Sequence, residues 1–280
     1  MRIGFIGAGK IGFTLGKYFT EHNAEISGYY SRREESAKEA SKFTHTRYYR
    51  QLKEIVSASD ALFLTCPDDA LEEVWNSLRQ YSLKGKCICH CSGALSSAVF
   101  SEIGQMEAFG YSIHPLFAIH SKTESYREIS KAFFTIEGHE RYLDYWKDFF
   151  ESLGNPVRVI AQERKVLYHA AAVFASNLVC ALYAEGTKLM EQCGFDGESA
   201  EKALAPLFLN NAKSLAELGP KKALTGPLER ADLSTIMKHL NTLPKEEKEI
   251  YQRLSVSLLE VAELKNPQRN YSEIRRLLTE

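Results

Sequence analysis

A lysine and a histidine lie four residues apart in the second half of the chain, at Lys165 and His169. In a helix this spacing places both side chains on one face; Ser176 falls on the same stripe, and Asn177 lies about 100° further round. Lysine and histidine can both donate a proton to a reacting group, so the pair predicts general acid catalysis. The alternative is a solvent-facing polar stripe, but the neighbouring sequences AAAVFAS and LVCALY are small and apolar.

The two charges should influence each other if both residues face a cleft. Burial and mutual repulsion would each disfavour the cationic forms and lower both pKa values. Histidine would then be mostly neutral at pH 7. We therefore expect Lys165 to be the proton donor and His169 to be a hydrogen-bonding orienter.

A glycine-rich loop near the N-terminus has the GxGxxG spacing. It follows an apolar strand and opens an amphipathic helix, which is the context of a dinucleotide-binding loop. There Gly7 makes the turn, Gly9 lets a diphosphate approach and Gly12 permits close helix–strand packing. The diphosphate would bind the free N–H groups of the helix N-terminus. The residues expected to contact it are Gly7, Ala8, Gly9, Lys10, Ile11 and Gly12.

The residues about twenty positions later indicate which dinucleotide is bound. A chain that prefers NAD would carry an acidic residue for the ribose hydroxyls, whereas this chain has Ser31, Arg32 and Arg33. A hydroxyl and two guanidinium groups suit a 2′-phosphate. NADP(H) is therefore the expected cofactor. The alternative is that both arginines are solvated surface charges.

Three predicted strands end in residues that could border the cofactor, because ligands of doubly wound sheets lie beyond the carboxyl ends of strands. In strand order these residues are Thr65, Cys66 and Pro67, then Ser92 and Gly93, and finally His114. Ser92 and His114 are expected to orient the substrate or the nicotinamide. The others are expected to border a ribose or the nicotinamide.

Three of the six cysteines alternate along one predicted strand, at Cys87, Cys89 and Cys91. Zinc sites favour cysteines two to four residues apart, so that a turn can surround the ion. An extended strand instead places the three thiols on one face and Ile88 and His90 on the other. We predict a buried strand and no metal site.

A second polar group occurs in the motif LTGPLERAD. Thr225 and Arg230 flank a Gly-Pro turn and the start of a helix, and Arg230 could hold a carboxylate through two parallel hydrogen bonds. With Ser176 and Asn177 they are the predicted substrate-binding residues. The alternative is an ordinary loop and helix cap.

The elements that must position these residues are of two kinds. Up to residue 161, short β-rich runs alternate with helices, which predicts an α/β fold with a doubly wound parallel sheet. The helices predicted there cover residues 10–22, 34–43, 69–80, 96–103 and 142–153. From residue 162 the pattern is helical, beginning with one long helix over 163–193. We therefore predict a Rossmann domain, residues 1–161, and an all-α substrate and dimerisation domain, residues 162–280.

Composition excludes several classes of function. The 280-residue chain has a net charge of −1 and no strongly basic stretch, which argues against nucleic acid as a partner. The first apolar run is too short for a signal peptide, and no apolar run approaches the roughly 20 residues of a membrane span. We expect a cytoplasmic protein with reduced thiols and no membrane contact. The apolar long helix predicts a homodimer through the helical domain.

Five motifs occur in order along the chain: GFIGAGKIG, HCSGALS, SIHPLFAI, YHAAAVFASN and LTGPLERAD. Together they resemble Rossmann-like NADP oxidoreductases whose C-terminal part is catalogued as a domain of unknown function. The resemblance covers nearly the whole chain. It implies a Rossmann domain followed by a helical domain of the 6-phosphogluconate dehydrogenase C-terminal type, which commonly dimerises. The group is similar to pyrroline-5-carboxylate reductases, 3-hydroxyisobutyrate dehydrogenases, prephenate dehydrogenases and ketopantoate reductases.

The resemblance also implies roles for individual residues. Lys165 matches the lysine with which β-hydroxyacid dehydrogenases and ketopantoate reductases protonate the substrate carbonyl oxygen, whereas His169 replaces the asparagine usual in those families. Ser92 and the His-Pro pair at His114 are similar to residues of prephenate dehydrogenases. The TGP turn at Thr225 is similar to the substrate loop of pyrroline-5-carboxylate reductases, without its paired glycines.

The sequence therefore predicts an NADPH-dependent reductase of a small 2-oxo acid, with 2-dehydropantoate (ketopantoate) as the best single substrate. Two alternatives remain open. One is another NADP-dependent oxidoreductase, acting on an imine or on a cyclic hydroxy acid such as prephenate. The other is a non-catalytic NADPH-binding sensor, against which the proton-donating stripe argues, since a sensor needs no proton donor.

Overall fold

The computed structural model describes residues 1–279, so Glu280, the last residue of the predicted second domain, lies outside the described residues. The chain forms two compact units, which divide between Ala175 and Ser176. The first unit thus extends beyond the domain boundary predicted at residue 161, because it includes the helix that follows.

A seven-stranded sheet forms the centre of the first unit, in the order β2-β1-β3-β4-β5-β6-β7. The strands are β1 Ile3–Ile6, β2 Ile26–Tyr30, β3 Ala61–Leu64, β4 Cys87–His90, β5 Phe109–Leu116, β6 Phe133–Gly138 and β7 Val157–Val159. All neighbours are parallel except β5 and β6, which are antiparallel. The chain reverses its direction of travel across the sheet between β1 and β3, the position at which such sheets bind ligands. The predicted doubly wound fold is confirmed.

The two faces of the sheet differ in chemistry at β4 to β6. On one face the strands carry apolar side chains that join the main core, such as Tyr111, Ile113 and Phe134. The other face carries five polar side chains, which the strand register places side by side: His90, Ser112, His114, Thr135 and Glu137. We call these five residues the polar face. Four of them are buried and His114 is partly buried, which is unusual for strands covered on both sides.

The helices of the first unit mostly follow the sequence prediction. They are α1 Lys10–Glu21, α2 Glu34–Thr44, α3 Leu52–Ala58, α4 Leu71–Leu78, α5 Leu143–Ser152 and α6 Lys165–Ala175. The helix predicted over residues 96–103 is wrong: two short 3-10 turns, Ser97–Val99 and Ile103–Met106, occupy this region. Glu102 between them has a φ of 58°, a left-handed conformation that an α-helix cannot continue through. The seven-residue α3 was missed.

The second unit is helical, as predicted. Its helices are α7 Asn177–Gln192, α8 Gly197–Ala223, α9 Leu233–Thr242, α10 Lys245–Lys265 and α11 Ser272–Thr279. A kink at Gly219, with a φ of 75°, interrupts α8 directly before Pro220. A small core between α9, α10 and α11 includes Ile236, Leu259 and Ile274.

The single helix predicted over residues 163–193 is wrong. Ser176 leaves helical geometry, with φ −132° and ψ −78°, and separates α6 from α7. Its hydroxyl lies 3.0 Å from Oδ1 of Asn177, and serine and asparagine side chains readily compete for local hydrogen bonds that a helix would use. Ser176 therefore does not continue the stripe of Lys165 and His169.

Helices α6, α7 and α8 expose large apolar side chains. Val166 is 72% exposed, Phe174 70% and Leu207 69%. By length and composition alone, residues Gln162–Gln192 could also cross a membrane, the one such stretch among residues 1–279. This differs from the expectation that no run is long and apolar enough. A single helix of this kind is weak evidence for a membrane, because helices at protein interfaces share its composition.

Candidate active site

The glycine loop joins β1 to α1 at the carboxyl edge of the sheet. Gly9 is the N-cap residue of α1, and no side chain of the described residues caps this helix. A Cβ on Gly9 would come no closer than 3.7 Å to Thr65 O, so the chain leaves room at the helix N-terminus. Ala8 is buried, Ile11 is partly buried and Lys10 is exposed. Uncapped N–H groups with space in front of them fit an anionic diphosphate.

Gly7 and Gly12 are fixed by contacts within the protein. Gly7 has a φ of 104°, and a Cβ there would lie 2.8 Å from the backbone of Thr65. A Cβ on Gly12 would lie 2.6 Å from Thr65 Oγ1. The Thr65 hydroxyl donates to the Gly7 carbonyl at 2.9 Å, so Thr65 shapes the loop. Cys66 and Pro67 lie further out and are more exposed.

The serine and arginines expected at the 2′-phosphate lie directly after β2. The Gly7 N–H donates to the Tyr30 carbonyl at 2.8 Å, which holds the end of β2 beside the glycine loop. Arg32 and Arg33 are exposed and Ser31 is partly buried. Neither guanidinium forms an ion pair with another described residue; the pair in this region joins Lys38 and Glu34. Both arginines are therefore available to an anionic ligand.

The first residues of α6 contact the polar face and the loop after β4. Lys165 is 1% exposed, and its Nζ has no hydrogen-bond partner among the described residues. The Tyr168 hydroxyl lies 2.7 Å from His114 Nδ1. A Cβ on Gly93 would lie 2.6 Å from His169 Cδ2 and 3.0 Å from His114 Nε2. The structure thus brings Lys165, His169, His114 and Gly93 together.

The environment of Lys165 changes its acidity. Burial lowers the pKa of its ammonium group from 10.5 to about 8, against the opposing influence of Glu137, Cys91 and Asp68. The amine is therefore mostly protonated at pH 7, yet close to the pH at which it releases its proton. A pKa near the working pH is the property expected of a general acid.

His114 has a different character. Burial lowers its pKa to about 3, and the charges of Lys165 and His169 add to this effect. The ring is therefore neutral at physiological pH and cannot supply a proton from an imidazolium. It can still orient a ligand or Tyr168 through hydrogen bonds, which is compatible with the orienting role predicted for it.

The Ser92 hydroxyl is engaged within the protein. It donates to Asp68 Oδ2 at 2.7 Å and accepts from the backbone N–H groups of Ala94 and Leu95, at 3.1 and 2.9 Å. These bonds fix the turn after β4, and with it the position of Gly93. The geometry favours a supporting role for Ser92 in this turn over direct orientation of the substrate.

The predicted substrate-binding residues all belong to the second unit. Ser176 and Asn177 lie at the N-terminus of α7. Thr225 and Arg230 are exposed in the turn between α8 and α9, where Asp232 accepts from the Thr235 N–H and caps α9. The two sets therefore divide between the units, with the proton-transfer candidates in the first and the substrate candidates in the second.

The cysteine motif is the predicted buried strand. Cys87, Cys89 and Cys91 are at most 4% exposed and belong to one core cluster, whereas Ile88 belongs to the cluster on the opposite face. No group of three or more His, Cys, Asp or Glu side chains that could hold a metal occurs in the described part of the chain. That the protein binds no metal stays a prediction.

Two protein-family models match parts of the chain. Residues 2–92 match the family described as NADP oxidoreductase, coenzyme F420-dependent, and residues 132–258 match the domain of unknown function DUF2520. No curated protein matches the chain.

Solved structures resemble nearly the whole chain. A protein of Bacteroides fragilis, classed provisionally as an NADP oxidoreductase, is 25% identical with a TM-score of 0.69, over 92% of this chain and 98% of its own. A Thermotoga maritima protein is 26% identical with a TM-score of 0.68, over 99% and 100%. An imine reductase from a Pseudomonas species shares the fold, at 16% identity and a TM-score of 0.60, over 96% and 99%.

The fold, the glycine loop and the N-terminal match define an NADP-dependent oxidoreductase. Within that class, the chain joins an NADP oxidoreductase domain to a C-terminal DUF2520 domain. The predicted family resemblance, the predicted enzyme class and the predicted cofactor, NADP(H), are confirmed.

Sequence reasoning missed four residues around Lys165: Asp68, His90, Glu137 and Tyr168. A signal for Glu137 was present, because FTIE alternates apolar with polar residues inside a sheet that otherwise reads as apolar. Tyr168 lies between Lys165 and His169 in the sequence, and the prediction based on i, i+4 spacing did not include it. Asp68 carried no distinguishing pattern.

Proposed function

We propose that the protein reduces a small 2-oxo acid with NADPH, and that Lys165 donates the proton to the substrate carbonyl oxygen. The observation that carries this proposal is a buried ammonium group without a hydrogen-bond partner among residues 1–279. A buried polar group normally has a partner, so a substrate oxygen is the natural candidate for the missing one.

The reaction needs a hydride at the carbonyl carbon and a proton at the carbonyl oxygen. Bound NADPH supplies the hydride. Lys165 supplies the proton and becomes a neutral amine, which regains a proton from water after the hydroxy acid leaves. His169 and His114 would orient the substrate beside the loop at Gly93. Arg230, in the second unit, stays the predicted ligand of a substrate carboxylate.

The positive charge of Lys165 also favours an anionic substrate. Oxo acids carry a carboxylate that a buried cation attracts. Among them, 2-dehydropantoate is our specific proposal, supported by the resemblance of the motifs to ketopantoate reductases. Thr225, Ser176 and Asn177, all in the second unit, stay predicted contacts of the substrate.

Reduction of a carbon–nitrogen double bond is the second candidate, supported by the fold shared with an imine reductase. The charge of the site argues against it, because an iminium ion is cationic and Lys165 is protonated below about pH 8. A cyclic imine would have to bind beside a like charge.

A substrate panel tests the proposal. Purified protein with NADPH should reduce 2-dehydropantoate and related 2-oxo acids faster than cyclic imines such as 1-pyrroline-5-carboxylate, measured as initial rates of NADPH oxidation. Faster imine reduction would favour the second candidate, and oxidation of prephenate with NADP⁺ would indicate a third. No turnover of any substrate would support an NADPH-binding sensor.

We also propose that the protein acts as a cytoplasmic homodimer, in which a second copy covers the exposed apolar side chains of α6, α7 and α8. Three of them, Val166, Phe174 and Leu207, are each at least 69% exposed. Large contiguous apolar surface is rare on soluble monomers.

Sedimentation tests this assembly. The protein should behave as a dimer of 31.7-kDa chains at micromolar concentration. Leu207→Glu should raise the dimer dissociation constant about 10²-fold or more, because a buried charge without a partner is strongly unfavourable. Lys202→Glu, an exposed change on the same helix, is the control. A monomeric wild type contradicts the proposal, and recovery in the membrane fraction would indicate that the apolar stretch contacts lipid instead.

A further inference from the structure

Glu137 is a buried acid whose position suggests a function. It lies on β6 within the polar face and is 2% exposed. The Ser97 hydroxyl donates to its Oε2 at 2.9 Å, and the Ser97 backbone N–H donates to Oε1. Both oxygens of Glu137 therefore accept a hydrogen bond from Ser97. Glu137 is thus an acidic side chain held in a fixed position inside the protein.

Lys165 is the opposite case, a buried cation without a hydrogen-bond partner among the described residues. Glu137 and Lys165 form no direct ion pair. Both nevertheless lie in one buried region, because α6 contacts the polar face through Tyr168 and His114, and Glu137 is part of that face. Glu137 is also the largest of the influences that raise the pKa of Lys165. Charges interact over longer distances inside a protein than in water, because the surroundings screen them less. Each charge would otherwise be costly to bury alone.

Other groups near Lys165 do not supply a comparable charge. The titratable groups that face it are Asp68, His90, Cys91, His114, Glu137 and Tyr168. Burial lowers the pKa of His90 to about 4 and of His114 to about 3, raises that of Cys91 to about 12 and raises that of Tyr168. These four groups are therefore neutral near pH 7.

His169, one turn along the same helix, can add only positive charge. The two carboxylates remain. Asp68 is exposed, so water and salt screen its charge. Glu137 is buried, and its effect is not screened in this way.

We propose that Glu137 is the charge that keeps Lys165 protonated in its buried site, and that it is thereby a positioning residue for proton transfer. The role in proton transfer rests on the proposed function of Lys165; the electrostatic coupling does not. Without Glu137, Lys165 would lose its proton at lower pH, and a smaller fraction of the protein would carry the acid at pH 7.

The coupling is measurable without any substrate. In protein labelled with ¹³Cε-lysine, the Lys165 resonance, identified by its loss in Lys165→Met, should titrate in the wild type near pH 8. In Glu137→Gln the midpoint should move to lower pH by about one unit, since nearby opposite charges shift pKa values on this scale. Ser97→Ala is the matched control, because it removes one hydrogen bond to the carboxylate and keeps the charge. Its midpoint should stay at the wild-type value.

A salt series on the wild type gives an independent test that needs no folded variant. Raising the ionic strength from about 0.05 to 0.5 M shortens the Debye length severalfold. The Lys165 midpoint should not change if buried Glu137 supports the charge. A salt-dependent midpoint would assign the support to exposed Asp68 and overturn the proposal, as would an unchanged midpoint in Glu137→Gln.

Kinetics then separate the two proposals. If Lys165 is the proton donor, the alkaline limb of the kcat/KM profile should move to lower pH in Glu137→Gln together with the resonance. If the resonance moves and the kinetic limb does not, the coupling stands and the role of Lys165 as acid fails.

Discussion

Lys165→Met should lower turnover by about 10²–10⁴-fold, the effect typical of a lost general acid, while NADPH binds nearly as before. The reason is that methionine preserves much of the length of the side chain and removes its proton. Affinity for NADPH should depend instead on the glycine loop and on Arg32 and Arg33. Stopped-flow or steady-state reduction of the best 2-oxo acid gives the rate, and calorimetry gives the affinity.

The same substitution should stabilise the folded protein. Below pH 8 the Lys165 amine is charged in both the folded and the unfolded state, and only the folded state carries the cost of burying it. Lowering the pKa from 10.5 to about 8 corresponds to about 3 kcal/mol. A proton donor kept at the expense of stability is the trade-off expected of an active-site residue.

The pH dependence of the free energy of unfolding shows whether burial of protonated Lys165 destabilises the folded state. Between about pH 8 and 10.5 the folded state has released the Lys165 proton and the unfolded state still holds it. The unfolded state then binds more protons, so this group makes the free energy of unfolding rise with pH across that window. The buried thiols act in the opposite direction, because burial raises their pKa values. The difference between wild type and Lys165→Met in urea unfolding isolates the lysine.

His169→Asn is the matched control for the kinetic result, since asparagine keeps a hydrogen-bonding group at the next turn of α6. It should reduce turnover much less than Lys165→Met. A larger loss in His169→Asn would exchange the two roles. If neither change slows a reaction that the wild type catalyses, general acid catalysis by this pair is wrong.

Arg32→Ala should weaken NADPH binding by about 10- to 150-fold, the value of one charge-assisted contact of about 1.5–3 kcal/mol, and leave NADH binding unchanged. The exposed guanidinium beside the glycine loop has no ion pair to break within the described residues, so its removal should not disturb the fold. The wild type should prefer NADPH over NADH by at least the same factor. Competitive titrations of both cofactors measure this directly.

Lys53→Ala, an exposed charge removed from α3 in the same unit, controls for a general loss of positive charge. It should change neither affinity beyond the small effect of net charge. Equal wild-type affinities for the two cofactors would contradict the 2′-phosphate assignment. A loss shared equally by NADPH and NADH would instead indicate that Arg32 contacts a part common to both.

Patterns of neighbouring residues were sufficient to predict most of the fold. The alternation of strands and helices, the glycine loop and the buried cysteine strand depend on periodicity within short segments, which local physics controls. The break at Ser176 depends on a single serine and asparagine inside an otherwise helical pattern. The helix predicted near residue 100 is interrupted at Glu102, and Ser97 in the same region bonds to Glu137, forty residues away, a contact that no local pattern contains.

The candidate site, too, could be predicted only as far as local sequence patterns reach. Lys165 and His169 could be predicted from the sequence because they share a helix. The residues after β1, β2 and β4 could be predicted because ligands of doubly wound sheets bind beyond the carboxyl ends of the strands. Glu137 and Asp68 acquire their relation to Lys165 only when the sheet and α6 assemble. Burial, which sets the acidity of Lys165, is likewise a property of the folded unit and of no segment within it.

The division of the chain at residue 175 suggests how such enzymes could change substrates. The acid, the charges that tune its pKa and the nucleotide loop all lie before that point, and Ser176, Asn177, Thr225 and Arg230, the substrate-binding residues predicted from the sequence, come after it. We expect a hybrid that joins residues 1–175 to the helical part of a relative to keep the proton donor of this chain and to take the substrate selectivity of the relative. Recombination at the loop around Ser176 therefore offers a natural route by which one catalytic half could serve many substrates.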